Sequence, residues 1–221
     1  MVAVDGFKGN VIVSPSNDDI KEFENKQEAY LKDKESLKQY FGKPTVTKSG
    51  IKKLVYGNIG KAEDVQSVIQ NSGEGIGLFR TEFLFMDRQS EPSEEEQFEA
   101  YSTVAKAMDG KEVIIRTLDV GGDKDIPYLN IEKEENPFLG HRAIRYCLDN
   151  KELFKKQLRA LLRASVYGNI KIMLPLVTCV EEVRQAKALI EECKEELKSE
   201  GKEYRLSLIH ISEPTRPLYI S

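Results

Sequence analysis

Gly75-Ile-Gly-Leu-Phe-Arg-Thr-Glu82 and Glu112-Val-Ile-Ile-Arg-Thr-Leu-Asp119 are two short, largely apolar runs that each pass directly into an arginine and a threonine. Each run has the length of a strand and is followed by a longer segment whose apolar residues have helical spacing. Apolar runs and amphipathic segments alternate in this way four times between residues 51 and 200. Because strands that alternate with helices pair in parallel through right-handed crossovers, the pattern predicts an α/β fold with a parallel sheet.

Four strand–helix units account for most of the chain. The predicted strands cover residues 53–59, 76–80, 112–118 and 170–177, and the predicted helices cover 61–72, 93–109, 137–166 and 179–200. Capping boxes indicate where two of these helices start: Ser93 with Glu96, and Thr178 with Glu181. A closed (β/α)8 barrel needs eight such units and about 250 residues. Four units therefore predict the first half of a TIM barrel, with a free-standing four-unit sheet as the alternative.

Three further segments flank this half-barrel, which we assign to residues 45–204. Residues 1–16 alternate apolar and polar positions like a small β-ribbon. Residues 17–44 have the heptad-like spacing of one exposed connecting helix. Residues 205–221 have neither helical nor strand periodicity. We interpret them as an aberrant, non-native tail and assign no function to them.

The composition, with 40% hydrophobic residues, 32% charged residues and a net charge of −4, is that of a soluble globular protein. The mildly acidic balance argues against a general nucleic-acid-binding role. No apolar run is long enough for membrane insertion, and the N-terminus does not resemble a signal peptide. Cys147, Cys179 and Cys193 form no CxxC pair, which predicts free, buried thiols in a reducing compartment. These features together predict a cytoplasmic protein.

Arg80 and Arg116 are the residues most suggestive of chemistry. Each lies at the carboxyl end of a predicted strand, and the carboxyl ends of adjacent parallel strands lie about 5 Å apart. A guanidinium group is a rigid fork of donors that matches phosphate or carboxylate oxygens. The pair therefore predicts an anion site. The alternative is that each arginine forms a structural ion pair with a nearby acid such as Glu82 or Asp119.

Three stretches carry a resemblance to a known family: Gly75-Ile-Gly-Leu-Phe-Arg-Thr-Glu-Phe-Leu-Phe-Met-Asp-Arg88, Ile115-Arg-Thr-Leu-Asp-Val-Gly-Gly-Asp-Lys124 and Glu134-Glu-Asn-Pro-Phe-Leu-Gly-His-Arg-Ala-Ile-Arg145. Through them, residues 1–204 resemble enzyme I of the bacterial phosphoenolpyruvate:sugar phosphotransferase system. The resemblance implies a (β/α)8 barrel that binds phosphoenolpyruvate (PEP) and forms a homodimer. It implies that residues 1–16 end a swivelling phosphohistidine domain and that residues 17–44 are the linker helix. The implied reaction moves the phosphoryl group of PEP to that histidine and on to the phosphocarrier HPr, for sugar uptake.

The same resemblance places the family's phosphate-gripping arginines at Arg80 and Arg116, and further polar pocket positions at Asp119 and Arg142. It implies Mg²⁺ as a cofactor. The phosphoacceptor histidine, the proton-donating cysteine, a third arginine and the magnesium ligands have no matching positions in this chain. No catalytic residue and no metal ligand is therefore assigned, and the isolated chain is expected to be inactive. His141 is interpreted as a packing or hydrogen-bonding residue.

Two alternatives to this function stay open at the level of sequence. Pyruvate-phosphate dikinase and PEP synthase have barrels that share the Arg-Thr and Arg-Thr-x-Asp motifs, so the chain could be a fragment of either enzyme. The run from Phe79 to Asp87 and the linker ahead of it favour enzyme I. From a different class, the chain could be a non-catalytic module that binds PEP or another anion through Arg80 and Arg116 without turnover.

Overall fold

The architecture was obtained as a computed structural model. The structure describes residues 1–121, 126–129, 131, 132, 134–205 and 208–211, the last four by their backbone alone. The chain divides into two compact units, Met1–Pro44 and Thr45–Ser221.

The first unit consists of a β-ribbon and a helix. Strands β1 (Val2–Asp5) and β2 (Asn10–Val13) pair antiparallel, and helix α1 (Asn17–Leu37) follows, ending in a 3-10 turn at Lys38–Tyr40. No residue of α1 is buried, as its exposed pattern predicts. The assignment of these segments to the end of a swivelling domain and a linker stays a prediction.

The second unit alternates strands with helices. Its strands are β3 (Gly57–Ile59), β4 (Ile76–Arg80), β5 (Glu112–Arg116), β6 (Asn169–Leu174) and β7 (Leu208–Ile211), and its helices are α2 (Val65–Gln70), α3 (Glu94–Ala107), α4 (Ile144–Asp149), α5 (Lys151–Ala164) and α6 (Val180–Ser199). Short 3-10 turns lie at Ala62–Asp64, Thr81–Leu84, Pro127–Leu129 and Ser165–Tyr167. The predicted α/β class is confirmed.

All strands of this unit pair in parallel in the order β3-β4-β5-β6-β7. The described part of the sheet thus has five strands, one more than predicted. The prediction that residues 205–221 lack strand structure was wrong for Leu208–Ile211, because these residues pair in register with Lys171–Leu174 of β6. Residues 212–221 lie outside the described residues, and their non-native origin stays a prediction.

The predicted helix over residues 137–166 was wrong in its first quarter. Residues 137–143 are not helical, and the helix begins at Ile144. Arg145 donates to the carbonyls of Gly140 and Phe138 at 2.7 and 3.4 Å, which stabilises the non-helical path. Asn150, with φ −110° and ψ 61°, then separates α4 from α5.

The two predicted capping boxes had different outcomes. The box of α3 is confirmed, since Ser93 Oγ accepts from the backbone of Glu96 and the Glu96 carboxylate accepts from the backbone of Ser93. At α6 the N-cap is Cys179 and the returning carboxylate belongs to Glu182, one residue later than predicted. Because Glu181 and Glu182 are adjacent at the start of α6, the sequence does not show which of them closes the capping box.

The core lies between the sheet and helices α3, α5 and α6. Its fully buried side chains include Ile76, Phe79, Val113, Ile115, Ile172, Leu174, Tyr101, Val104, Phe154, Leu158, Leu161, Ala186, Cys193 and Leu197. Full burial of one large aliphatic or aromatic side chain contributes about 1.5–3 kcal/mol. This layer fixes the strands, and with them the positions at which the strands end.

Strand β4 contains a β-bulge. Between Ile76, which pairs with Val113, and Phe79, which pairs with Ile115, β4 uses three steps and β5 only two. The register with β3 shifts at the same place. Gly77 is common to both irregularities, and glycine is frequent at bulges because it adapts to an irregular backbone.

Candidate functional site

The carboxyl ends of β4 and β5 bring two arginines side by side. Arg80 and Arg116 are direct Cα partners in the parallel ladder, so their side chains leave the sheet on the same face. The bulge in β4 is required for this pairing. If the ladder continued unbroken from Ile76 opposite Val113, Arg80 would lie opposite Thr117 instead.

Arg116 is held by two carboxylates. Its Nη2 lies 2.6 Å from Glu82 Oε1 and its Nη1 lies 2.9 Å from Asp119 Oδ2. All three side chains are largely buried. The alternative of a structural ion pair therefore describes Arg116, whose guanidinium is fixed in position and compensated in charge.

Arg80 has a different environment. Its guanidinium carbon lies 5.0 Å from the centroid of the Phe83 ring, and its buried Nε has no hydrogen-bond partner in the described part of the chain. Within the same residues, no carboxylate lies within 4.0 Å of Arg80. The backbone N–H groups of Lys61 and Gly60, together with the more distant charge of Arg80, lower the pKa of Asp64. Among the described residues, Arg80 is thus a cation without a carboxylate in contact.

Asp119 joins Arg116 to Arg142. While Asp119 Oδ2 contacts Arg116, its Oδ1 accepts from Arg142 Nε at 2.7 Å. The Arg142 guanidinium carbon also lies 4.6 Å from the centroid of the Phe138 ring. A side chain on Gly121 would come within 2.9 Å of Arg142 Cγ, so glycine is needed there. The structure thus joins three of the predicted residues through ion pairs and sets Arg80 beside them in the ladder.

The segment that carries Arg142 has an unusual backbone. Ala143 is fully buried and has φ 54° and ψ −119°, a conformation that residues with a side chain rarely adopt. Such a residue costs about 1–3 kcal/mol. Its N–H donates to the carbonyl of Val120 at 3.1 Å, which ties the segment to the chain beyond β5. The surrounding packing offsets the strain and fixes the direction in which Arg142 leaves the backbone.

Sequence reasoning named Glu82 only as a possible ion-pair partner and missed Gln157 altogether. Glu82 is buried and contacts Arg116. The sequence feature that points to Glu82 is its place directly after the Arg80-Thr81 pair that ends a strand. Gln157 is fully buried on α5 among apolar residues. In the sequence, Gln157 could have been noticed because it lies on the apolar face of the helix, between Phe154 and Leu161.

The thiols and the described histidine lie outside this cluster. Burial raises the pKa of Cys193 to about 12 and raises that of Cys147 well above its ordinary value, so both are inert. The prediction of buried thiols is confirmed for these two and was wrong for Cys179, which is exposed. His141 Nε2 lies 2.9 Å from Asp149 Oδ2 on the surface, in agreement with a hydrogen-bonding role.

The described residues do not fit a metal site. No three His, Cys, Asp or Glu side chains are grouped among them so as to hold an ion, and Glu82 and Asp119 both contact Arg116. We therefore assign no step to a metal. None of the described helices is long and apolar enough to cross a membrane.

Comparison with known proteins adds an independent finding. Residues 34–209 match the family model described as "PEP-utilising enzyme, PEP-binding domain". The chain is 52% identical over 200 residues to the phosphoenolpyruvate-protein phosphotransferase of Bacillus subtilis strain 168, covering 90% of this chain and 35% of that protein. It is 53% identical over 201 residues to the protein of the same name from Staphylococcus aureus strain MSSA476, covering 91% and 35%. The chain thus spans about a third of the length of these curated relatives.

Proposed function

Since the chain belongs to the PEP-utilising enzymes through their PEP-binding domain, we propose that it is the part of a PEP-protein phosphotransferase that grips the phosphate of PEP. In the whole protein, the phosphoryl group would pass to a histidine and on to HPr. Dimerisation, a Mg²⁺ requirement and a cytoplasmic location belong to the same proposal. The relatives' names do not favour a dikinase or a PEP synthase.

The observation that carries the proposal is the pairing of an arginine held by two carboxylates with an arginine that has no carboxylate in contact among the described residues. Arg116 is fixed by Glu82 and Asp119, whereas Arg80 has no carboxylate in contact among the described residues. A phosphate dianion placed between them would gain charge-assisted hydrogen bonds from both guanidinium groups. It would thereby complete the charge balance that the protein leaves open.

The chemistry of phosphoryl transfer suits this arrangement. The transition state is loose, and its negative charge lies on three equatorial oxygens. Donors that are already fixed stabilise such charge without reorganising during the reaction. Arg116 would supply a donor fixed by its carboxylates, and Arg80 would supply the net positive charge. Asp119 and Arg142 would maintain the orientation of Arg116 from the other side.

Binding of PEP to the 221-residue chain tests the proposal, with isothermal titration calorimetry and ³¹P NMR as readouts. We expect weak, saturable binding that Arg80→Gln weakens by about 10- to 100-fold, the equivalent of one charge-assisted interaction. Arg184→Gln is the matched control, because Arg184 is an exposed arginine on α6 that contacts only Glu181 among the described residues. Absence of saturable binding, or an equal loss in Arg184→Gln, would refute the phosphate grip.

A chimera distinguishes a transferase segment from a non-catalytic binding module. Residues 45–204 would replace the corresponding segment of the Bacillus subtilis relative, and PEP-dependent phosphorylation of HPr would be measured. We expect transfer in the chimera and loss of transfer when Arg80→Gln is added. A folded chimera that binds PEP and does not phosphorylate HPr would favour the module.

A further inference from the structure

A buried hydrogen-bond network lies directly behind the ends of β4 and β5. Its centre is Gln157 on α5, which is fully buried. Gln157 Oε1 accepts from the backbone N–H of Leu118 at 2.9 Å, and Gln157 Nε2 donates to Thr81 Oγ1 and to Tyr101 OH, each at 3.1 Å. Thr81 and Leu118 lie within two residues of the arginines that end the two strands. One side chain on a helix thus contacts both of the segments that follow these arginines.

The direction of each hydrogen bond follows from the groups involved. The N–H of Leu118 can only donate, so the amide oxygen of Gln157 faces it and the NH₂ group faces the two hydroxyls. The Thr81 hydroxyl accepts from Gln157 and donates to the carbonyl of Arg116 at 2.8 Å. The Gln157 amide therefore has a single orientation that satisfies all its partners, which makes it a rigid link.

The network has two arms with different destinations. The near arm runs from Gln157 through Thr81 to the carbonyl of Arg116, and so crosses from the end of β4 to the end of β5. The far arm runs from Gln157 through Tyr101 to Gln97, away from the arginines and along α3. Both arms are buried, so loss of either leaves a polar group without a partner and lowers stability. Of the two arms, only the near arm contacts the segments that carry the site arginines, which Gln157 itself also contacts at Leu118.

We propose that Gln157 and Thr81 are positioning residues for PEP, a role that rests on the proposed function of Arg80 and Arg116. They act by fixing the positions of the ends of β4 and β5 relative to each other, without contacting the ligand. Two guanidinium groups bind one phosphate well only when both reach it in the correct geometry, and a displacement of about 1 Å is enough to weaken such a site. The near arm supplies this constraint from inside the protein.

The test compares the two arms in the full 221-residue chain. Gln157→Met removes the centre at nearly constant volume, Thr81→Val removes the near arm, and Tyr101→Phe removes the far arm. We expect Gln157→Met and Thr81→Val to weaken PEP binding by about tenfold and Tyr101→Phe to change it by less than about twofold. Thr81→Ser keeps the hydroxyl and should recover the affinity that Thr81→Val loses. Urea unfolding of the same variants should show a loss of stability for Tyr101→Phe as well as for the other two.

A purely structural role would give a different pattern, in which affinity falls with stability in every variant. The proposal is overturned if Tyr101→Phe weakens PEP binding as much as Thr81→Val, or if Thr81→Val binds PEP like the wild type. Should Gln157→Met fail to fold, the comparison of Thr81→Val with Thr81→Ser still decides.

Hydrogen exchange provides a readout that needs no ligand. We expect the backbone amides of residues 80–82 and 116–119 to exchange faster in Gln157→Met and Thr81→Val and to be unchanged in Tyr101→Phe. If the wild type does not bind PEP, the proposed function fails. The hydrogen-exchange rates then decide whether the network fixes the strand ends. Equal exchange rates in all variants would overturn the positioning role of Gln157 and Thr81.

Discussion

Two arginine clusters in this protein differ in their surroundings. At the strand ends, Arg80 has no carboxylate in contact among the described residues. Between the helices, Arg159 contacts three carboxylates: Glu94 Oε2 at 2.7 Å, Glu196 Oε2 at 3.0 Å and Glu200 Oε2 at 2.7 Å. We name this second group, with Arg163 and Glu95, the helix clasp. It joins α5 to α3 and to the end of α6.

The difference separates an arginine surrounded by carboxylates from one with none in contact among the described residues, which is the one that the proposed function assigns to a ligand. In the helix clasp, the charge of each arginine is compensated by carboxylates of the protein itself: Arg159 donates to them through Nε, Nη1 and Nη2, and Arg163 through Nη1 and Nη2. At the strand ends, the backbone sets the position and the carboxylates compensate only one of the two paired arginines. Arg116 is intermediate, since it is compensated like Arg159 and lies beside Arg80.

The largest change in unfolding free energy is expected when Arg116 is replaced. Arg116→Met would leave Glu82 and Asp119 buried without one of their partners, which typically costs about 3–5 kcal/mol of unfolding free energy. Arg80→Met leaves no contacting carboxylate behind in the described part of the chain and should cost less than about 1 kcal/mol. Urea unfolding of both variants measures the difference. Equal losses would show that Arg80 is compensated in the same way.

The next effect concerns the centre of the helix clasp. Arg159→Met should lower the unfolding free energy by about 1–3 kcal/mol, because its carboxylate partners are partly exposed and regain water. PEP binding should be unchanged, since Arg159 lies outside the strand-end cluster. The loss should shrink in 1 M salt, which screens partly exposed charges. A variant that loses PEP affinity while it retains stability would reverse the assignment of the two clusters.

Acid should weaken the clasp by a smaller amount. The hydrogen bond from Arg159, followed by that from Lys202, lowers the pKa of Glu200 to about 2, and hydrogen bonds from Arg159 and Arg163 outweigh burial to lower the pKa of Glu94. A carboxylate with a lowered folded-state pKa stabilises the fold above its ordinary pKa of about 4.5. That stability is lost as the pH falls through the folded value. We expect the urea midpoint to fall between about pH 5 and pH 2, and to fall less steeply in Arg159→Met. Parallel pH profiles would contradict the role of Arg159.

The smallest effect is expected at Arg184, which is exposed on α6 and lies 3.4 Å from Glu181. Exposed ion pairs of this kind contribute less than about 0.5 kcal/mol. Arg184→Gln should therefore leave urea unfolding and PEP binding at the wild-type level. A larger loss would mean that removing any arginine perturbs this fold, and would weaken the comparison of the other variants.

The sequence predicted the ends of β3 and β4, whereas β5 and β6 end two and three residues earlier than predicted. Strand β4 has the predicted bounds, Ile76–Arg80, and the pairing of Arg80 with Arg116 follows from parallel neighbours. The predicted helix was wrong over residues 137–143, because Arg145 holds this segment through backbone carbonyls. Contacts of that kind depend on tertiary structure and leave no periodic signal.

The sequence predicted that Arg80 and Arg116 lie side by side, and it left the charge balance around them open. The sequence left open whether Arg116 pairs with an acid or with a ligand, and the structure shows that it pairs with both Glu82 and Asp119. Gln157 was missed because a single buried amide does not disturb the helical pattern around it. Its role depends on which groups face it across the core, and only the three-dimensional arrangement contains that information.

The bulge at Gly77 has a consequence for how such chains vary in length. Both ends of β4 are anchored in the ladder, at Ile76 and at Arg80, and the surplus residue lies between them. A shortened strand without Gly77 would form an uninterrupted ladder and still set Arg80 beside Arg116. The distance along the chain from the start of the strand to its arginine can therefore change by one position without changing the pairing of the two arginines. Pairing at the strand end, rather than spacing from its beginning, is what sets Arg80 beside Arg116.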